Sequence, residues 1–370
     1  MGALGRLSDN MGIRRIDRYI IRKFLGTFFY AITLLILVVI IFDASEKIDD
    51  FIEKDAPLNE ILFQYYLNFI PYFINLFSPL FTFIAVIFFT SKMAGRSEIV
   101  AILSSGVSFA RMLRPYLFSA FILALLSFFL ANFVIPHTNA RLLAFEYAYL
   151  KKPPSNREKD IHIQIRPGKF IYVESFNSEL NTGHRFTLET IDPEGRSSKL
   201  SADIIRWDSL QQSWVLDNYF LRSWEGHYER LEHGLRKDTV FEFSPEDFIV
   251  NSDDMKLMKF RELRDFIDKQ KLSGNEQVAE YEVEKHKRIA FPFATLVLTL
   301  IGVALSSRKV RGGIGLHLGV GITLSFAFIL FMQISTTFAV YGNLHAGIAV
   351  WMPNLVFGLI AAWLLRMAPK

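Results

Sequence analysis

Six long apolar segments constrain the fold of this chain more than any other feature of its sequence. They cover residues 24–42, 61–90, 116–135, 289–307, 314–340 and 348–365, and the first two contain no charged residue. A helix needs about 20 apolar residues to cross the hydrocarbon core of a bilayer, and one charge at its centre costs about 2.5–3.5 kcal/mol. The pattern therefore predicts a polytopic α-helical membrane protein with six transmembrane helices.

Basic residues next to these segments indicate how the helices are oriented. They are Arg6, Arg14, Arg15, Arg18, Arg22 and Lys23 before the first segment, Lys92, Arg96, Arg111 and Arg114 between the second and third, Arg308, Lys309 and Arg311 between the fourth and fifth, and Arg366 and Lys370 after the sixth. The loop after the first segment has only Lys47 and Lys54 as basic residues. Because Lys and Arg accumulate on the cytoplasmic side, we expect both termini in the cytoplasm and the first segment to be an uncleaved anchor.

The region between the third and fourth segments has the pattern of a β domain. Ile161, Ile163 and Ile165 alternate with His162 and Gln164, and this period of two is typical of a strand with one buried face. Further strands are predicted at 170–173, 185–190, 203–207, 214–224 and 239–243. We predict an all-β sandwich or jelly roll, inserted between the third and fourth helices and lying outside the cytoplasm.

The predicted organisation is three helices, an insert and three more helices. Residues 1–136 carry the cytoplasmic N-terminus and the first three spans, 137–258 the β domain, 259–286 a connecting helical segment and 287–370 the last three spans. In the connecting segment Phe260, Leu263, Phe266 and Ile267 have helical spacing, and Gly274 is expected to end that helix.

The composition excludes several kinds of site. The chain has no cysteine, which excludes disulfides, zinc–thiolate sites and iron–sulfur clusters, and it has no P-loop motif for ATP. Its net charge of +4 arises from basic residues beside apolar segments and does not predict nucleic-acid binding. His286 fits a charged surface helix better than a metal site. We interpret His317 as a capping or snorkelling residue rather than a proton relay.

The loop near 94–106 predicts a short amphipathic helix between the second and third spans. Arg96, Ser97 and Glu98 precede an apolar run, and Gly106 is expected to end the helix. Ser97 is the predicted cap, and the helix dipole favours the carboxylate of Glu98 in the first turn. Such a helix is suited to docking a soluble partner, and a helix that only connects two spans is the alternative.

Phenylalanine is abundant, with 36 residues. Most of these side chains are expected to contact lipid, and a large apolar cavity for a lipid would use the same residue types. The candidates for lining such a cavity are Phe28, Phe69, Phe73, Phe77, Phe326 and Leu330. Gly315 and Gly319 form a GxxxG pair, for which close helix packing is the favoured interpretation and a moving gate the alternative.

Several short stretches resemble the LptF/LptG family, the permease subunits of the lipopolysaccharide export ABC transporter. They are IDRYI at 16–20, RSEIV at 96–100, SGVS at 105–108, YEVE at 281–284, HKRIAFPF at 286–293 and GGIG at 312–315. The resemblance covers nearly the whole chain apart from residues 1–12, and it is closer to the G subunit than to the F subunit.

The resemblance implies a set of partners in a bacterial inner membrane. They are a second permease of the same family, a dimeric cytoplasmic ABC ATPase, a periplasmic jellyroll bridge protein and lipopolysaccharide, with no nucleic acid. The resemblance makes 94–106 the coupling helix, with Arg96, Ser97, Glu98 and Gly106 at the ATPase. The chain itself would then be no enzyme and bind no cofactor, while the partner uses ATP and Mg.

The resemblance also implies a route for the lipid. Lipopolysaccharide would enter from the outer leaflet through a lateral gate between spans one and five and pass into the periplasmic β domain. There Phe170, Tyr172, Phe186 and Leu188 are the candidates for a lipid path, with a role in the domain core as the alternative. Lys47 is the candidate contact for the lipid phosphates, although residues 43–47 are mostly acidic, and a bridging divalent cation is the alternative.

Two other functions are compatible with the same pattern. One is an ATPase-independent lipid carrier, and the other is a membrane-anchored periplasmic scaffold. The absence of Asp, Glu, Lys and Arg inside the apolar segments weighs against an ion-coupled carrier. Association with a cytoplasmic ATPase distinguishes the export permease from both.

Overall fold

The computed structural model describes residues 15–150, 159–192, 195–225, 228–248, 254–274, 277–308 and 313–368. The basic residues Arg6, Arg14, Lys309, Arg311 and Lys370, the extension 1–12 and Gly312 lie outside the described residues. The chain divides into two compact units, one formed by Met1–Leu150 with Glu282–Lys370 and the other by Lys151–Tyr281.

The six predicted spans are confirmed among the described residues. Six helices are long and apolar enough to cross a membrane: Arg15–Glu53, Leu58–Gly95, Phe109–Tyr149, Val278–Ser306, Ile314–Tyr341 and Ala346–Arg366, called spans 1 to 6. A seventh helix, Glu98–Ser104, lies between spans 2 and 3 and is called the inter-span helix. Spans 1 and 3 extend well beyond the apolar segments that predict them. The polar continuation of span 1 contains no glycine or proline before Pro57, and span 3 continues through Pro136 as far as Tyr149.

Two spans contain a wider helical turn. Residues Ile61–Tyr66 of span 2 and Leu130–Val134 of span 3 form π-helical segments, in which the backbone hydrogen bonds skip five residues instead of four. Span 2 also continues through Pro71 and Pro79 without ending. The helix is therefore continuous across two positions where a backbone donor is missing.

The spans pack through small residues and a few polar bonds. A Cβ on Gly302 of span 4 would lie 2.9 Å from Val86 and 3.0 Å from Phe83, both in span 2. A Cβ on Gly321 of span 5 would collide with Ile87. The predicted packing role of Gly315 and Gly319 is therefore wrong within this chain, since a Cβ at either would have no neighbour within 4 Å among the described residues.

The insert is all-β, as predicted. Its described strands are Lys159–Arg166, Lys169–Asn177, Thr182–Ile191, Ser197–Asp208, Ser213–Glu225 and Tyr228–Thr239, called β1 to β6. They form one antiparallel sheet in sequential order. One face carries an apolar core that includes Val173, Phe186, Ile205 and Leu216, each fully buried.

The predicted strand at 239–243 is wrong, because β6 ends at its first residue, Thr239, and residues 240–243 are not in a strand. On the core-facing side of β6, Gly234 lies opposite Tyr219, and a Cβ there would be 2.6 Å from the tyrosine ring. The apolar alternation that reveals a strand is therefore missing from β6. Phe243 instead packs into the core, where its carbonyl accepts a 2.9 Å hydrogen bond from the indole of Trp214.

The predicted helix after the sheet is confirmed. It spans Phe260–Ser273 and ends at Gly274, whose φ of 71° is the left-handed conformation that a glycine adopts readily. Its apolar side chains Leu263 and Ile267 are fully buried with Tyr281 in a small cluster of their own.

Candidate functional site

The inter-span helix has one buried and one exposed face. Ile99 is only 1% exposed and packs with Ile20 of span 1 and Met112 of span 3 in one apolar cluster. Val100, on the other face, is 59% exposed. The amphipathic helix predicted from the sequence is thus present, with an apolar side chain on the surface that faces away from the spans.

The ends of this helix fit the prediction only in part. Gly106, with a φ of 86°, follows the last helical turn, as expected for a glycine that ends a helix. Ser97 occupies the capping position, but its φ is 61° and its side chain makes no capping hydrogen bond. The expectation that Ser97 caps the helix is therefore wrong, and its left-handed backbone turns the chain sharply between Gly95 and Glu98.

Glu98 is tied to span 1. The hydroxyl of Tyr19 donates a 2.9 Å hydrogen bond to one carboxylate oxygen of Glu98. The other oxygen lies 4.0 Å from the guanidinium of Arg96. Tyr19 could not be assigned to this site from the sequence, because it is distant from Glu98 along the chain and no local pattern links the two.

A second polar contact of span 1 involves Asp17, two residues before Tyr19. Arg111 of span 3 donates two hydrogen bonds to Asp17 of span 1, at 2.8 and 2.6 Å. The Asp17 side chain is 10% exposed and that of Arg111 is 25% exposed. Asp17 is the only acidic residue among the basic residues 14–23, and this isolation is the one sequence signal that could have identified it.

His317 is buried between two spans. Its Nδ1 lies 2.8 Å from the hydroxyl of Ser91, which joins the beginning of span 5 to the end of span 2. Our interpretation of His317 as a capping or snorkelling residue is therefore wrong. His286 lies on span 4 with its ring 6.5 Å from that of His345.

Lys47 belongs to a polar cluster at the Glu53 end of span 1. Its ammonium is 2.6 Å from Asp43 and donates a hydrogen bond to Tyr65 of span 2. The Tyr65 hydroxyl in turn donates to Asp43 at 3.1 Å, and the ammonium lies 4.9 Å from the Tyr65 ring centre. The candidate phosphate contact is thus engaged by a carboxylate of its own helix.

The candidate cavity residues fall into three different environments. Phe69, Phe73 and Phe77 form a ladder of stacked rings along span 2, with centroids 4.1 and 6.2 Å apart. Phe28 is buried in the cluster that includes Ile99. Phe326 and Leu330 of span 5 are 55% and 60% exposed.

The four candidate residues for a lipid path lie on two faces of the sheet. Phe186 and Leu188 are buried in the core. Phe170 and Tyr172 of β2 pair with Glu189 and Thr187 of β3, and their side chains point to the opposite face of the sheet.

Tyr172 also takes part in a polar contact on that face. Its hydroxyl donates a 2.8 Å hydrogen bond to Asp160. This bond to a carboxylate is the main reason that the pKa of Tyr172 is raised.

Comparison with protein-family models gives a match. A family model described as "Lipopolysaccharide export system permease LptF/LptG" matches residues 18–367, which is nearly the whole chain. A search of curated proteins finds no match. The matched range contains the inter-span helix, the polar cluster of Asp43, Lys47 and Tyr65, and the β unit, and it begins one residue after Asp17.

Proposed function

Because the chain belongs to the LptF/LptG family of lipopolysaccharide export permeases, we propose that it is a subunit of an ATP-driven exporter. In this role it extracts lipopolysaccharide from the outer leaflet of the inner membrane and passes it to a periplasmic bridge that leads to the outer membrane. The observation that carries the proposal is the family match over six spans and a β insert, with an amphipathic helix between spans 2 and 3.

The physical chemistry of the cargo explains why such a subunit needs an energy source. Each methylene buried in an apolar medium is stabilised by about 0.8 kcal/mol, so a lipid with several acyl chains does not leave a bilayer unaided at a useful rate. The permease must offer an apolar cavity and then close it. We propose that closure is driven by a dimeric cytoplasmic ABC ATPase, which alone binds ATP and Mg.

The inter-span helix is the proposed docking element for that ATPase. Three features support this role: its apolar face is anchored on spans 1 and 3, Val100 is exposed, and Glu98 offers a negative charge at its first turn. A short helix held in this way can pass a rigid displacement from a bound protein to the spans. In this arrangement both termini are cytoplasmic and the β unit is periplasmic.

Purification of the tagged chain from its native membrane in mild detergent tests the proposal. We expect mass spectrometry to find a P-loop ATPase, a second six-span permease and bound lipopolysaccharide. Recovery of the chain alone, under several gentle conditions, would instead favour an ATPase-independent carrier or a scaffold.

The docking assignment has its own test in Glu98→Ala. We expect the variant to insert into the membrane normally and to retain less ATPase on purification, because the charge at the exposed first turn is lost. Arg114→Ala, which changes an exposed residue at the start of span 3, is the matched control. If Glu98→Ala retains the ATPase and hydrolyses ATP like the parent, the docking assignment is wrong.

A further inference from the structure

We propose that Tyr19 is the positioning residue through which a displacement of the inter-span helix reaches span 1. This inference rests on the proposed function, since it assigns a role within the coupling between ATP hydrolysis and transport. It adds a residue of span 1 to a site that the sequence places wholly in the loop between spans 2 and 3.

The carboxylate of Glu98 has a partner near each of its oxygens. One of its oxygens accepts the hydrogen bond from Tyr19 and the other faces Arg96. The left-handed backbone of Ser97 fixes the direction in which the helix leaves span 2. The hydrogen bond therefore links Glu98 to span 1, and a displacement of the inter-span helix acts on Tyr19 through it.

The residues that follow Tyr19 and Glu98 are both buried in one apolar cluster. Ile99, the residue after Glu98, is buried in the same cluster as Ile20, the residue after Tyr19. The hydrogen bond between Tyr19 and Glu98 therefore lies next to two residues that belong to one buried apolar cluster. Because packed interiors are close to incompressible, a movement of the helix displaces span 1 rather than opening a gap.

Span 1 is also connected to span 3 by an ion pair. Asp17 holds Arg111 with two hydrogen bonds, so the beginning of span 1 is joined to the beginning of span 3. Span 1 is also among the least buried of the spans, with 22% of its apolar window inside the structure. The corresponding share is 61% for span 4, so a smaller part of span 1 is enclosed by the rest of the structure.

Tyr19→Phe tests the inference, because it removes only the hydroxyl. The measured quantity is the amount of lipopolysaccharide released per ATP hydrolysed by the complete complex in vesicles. We expect Tyr19→Phe to lower this ratio at least about fivefold, the size of a weak coupling between two sites. ATPase retention and the melting temperature should stay near those of the parent complex, which a purely structural role would not predict.

Two comparisons make the result specific. Tyr30→Phe is the matched control, because Tyr30 is on the same helix and is 73% exposed. In a Glu98→Ala background, assayed with saturating ATPase, Tyr19→Phe should have no further effect if Tyr19 acts through Glu98. A parental ratio in Tyr19→Phe, or an equal loss in both backgrounds, would overturn the inference. A parent chain that retains no ATPase would instead overturn the proposed function.

Discussion

The pair formed by Asp17 and Arg111 gives the most direct test of the packing. Arg111→Met removes the guanidinium and keeps much of its volume, which leaves the Asp17 carboxylate 10% exposed without its two hydrogen bonds. Loss of one partner of a buried ion pair costs about 3–5 kcal/mol. Because Arg111 is 25% exposed, water can partly replace it, and we expect a loss of about 2–3 kcal/mol.

The assay for this prediction is unfolding in mixed micelles with increasing denaturing detergent, followed by far-UV circular dichroism. Arg114→Met, at an exposed position one turn away, should change the unfolding midpoint little. The double variant Asp17→Asn/Arg111→Met should recover most of the loss, because residue 17 no longer carries a buried charge. If the double variant is as unstable as Arg111→Met alone, charge burial is not the cause and the reasoning fails.

Three further predictions concern other parts of the molecule. Lys47→Ala should reduce photocrosslinking of lipopolysaccharide at the Glu53 end of span 1, and unchanged crosslinking would remove Lys47 as a phosphate contact. Gly302→Ala should destabilise the protein by about 1–3 kcal/mol through overpacking, whereas Gly358→Ala, with no neighbour within 4 Å of the new methyl, should not, as read from unfolding midpoints. The pKa of Glu232 is lowered, first by the hydrogen bond from Tyr219, so this contact stabilises the fold at neutral pH and is lost on acidification through that pKa. A carboxyl NMR titration of Tyr219→Phe should show a higher Glu232 pKa, and an unchanged value would contradict the assignment.

The spans could be predicted from the sequence because one strong effect decides them. The cost of placing charge in hydrocarbon acts on each segment separately, so composition within a window of about 20 residues is sufficient. The ends of the helices do not follow from this effect. Span 1 continues from Phe42 to Glu53 through a polar stretch. The cost of placing charge in hydrocarbon does not determine the structure of this stretch, which is helical by propensity and packing.

The polar contacts of the candidate site could not be predicted in the same way. Tyr19 and Glu98 are 79 residues apart, and Asp17 and Arg111 are 94 residues apart. Such pairs depend on the relative rotation of two packed helices, which no local pattern encodes. The sequence therefore indicated Glu98 through its position at a helix start, while its partner on span 1 became evident only from the fold.

The π-helical turn at Ile61–Tyr66 has a consequence for how this chain can change over generations. A π turn holds one residue more than an α turn, so it behaves as a single-residue insertion that the helix has absorbed. Loss of that residue would rotate the beginning of span 2 by about 100° relative to the rest. The side chains before the deleted residue would change their neighbours, while Phe83 would still face Gly302. Deletion of one codon in this segment would therefore change the contacts at one end of span 2 without changing those at the other end.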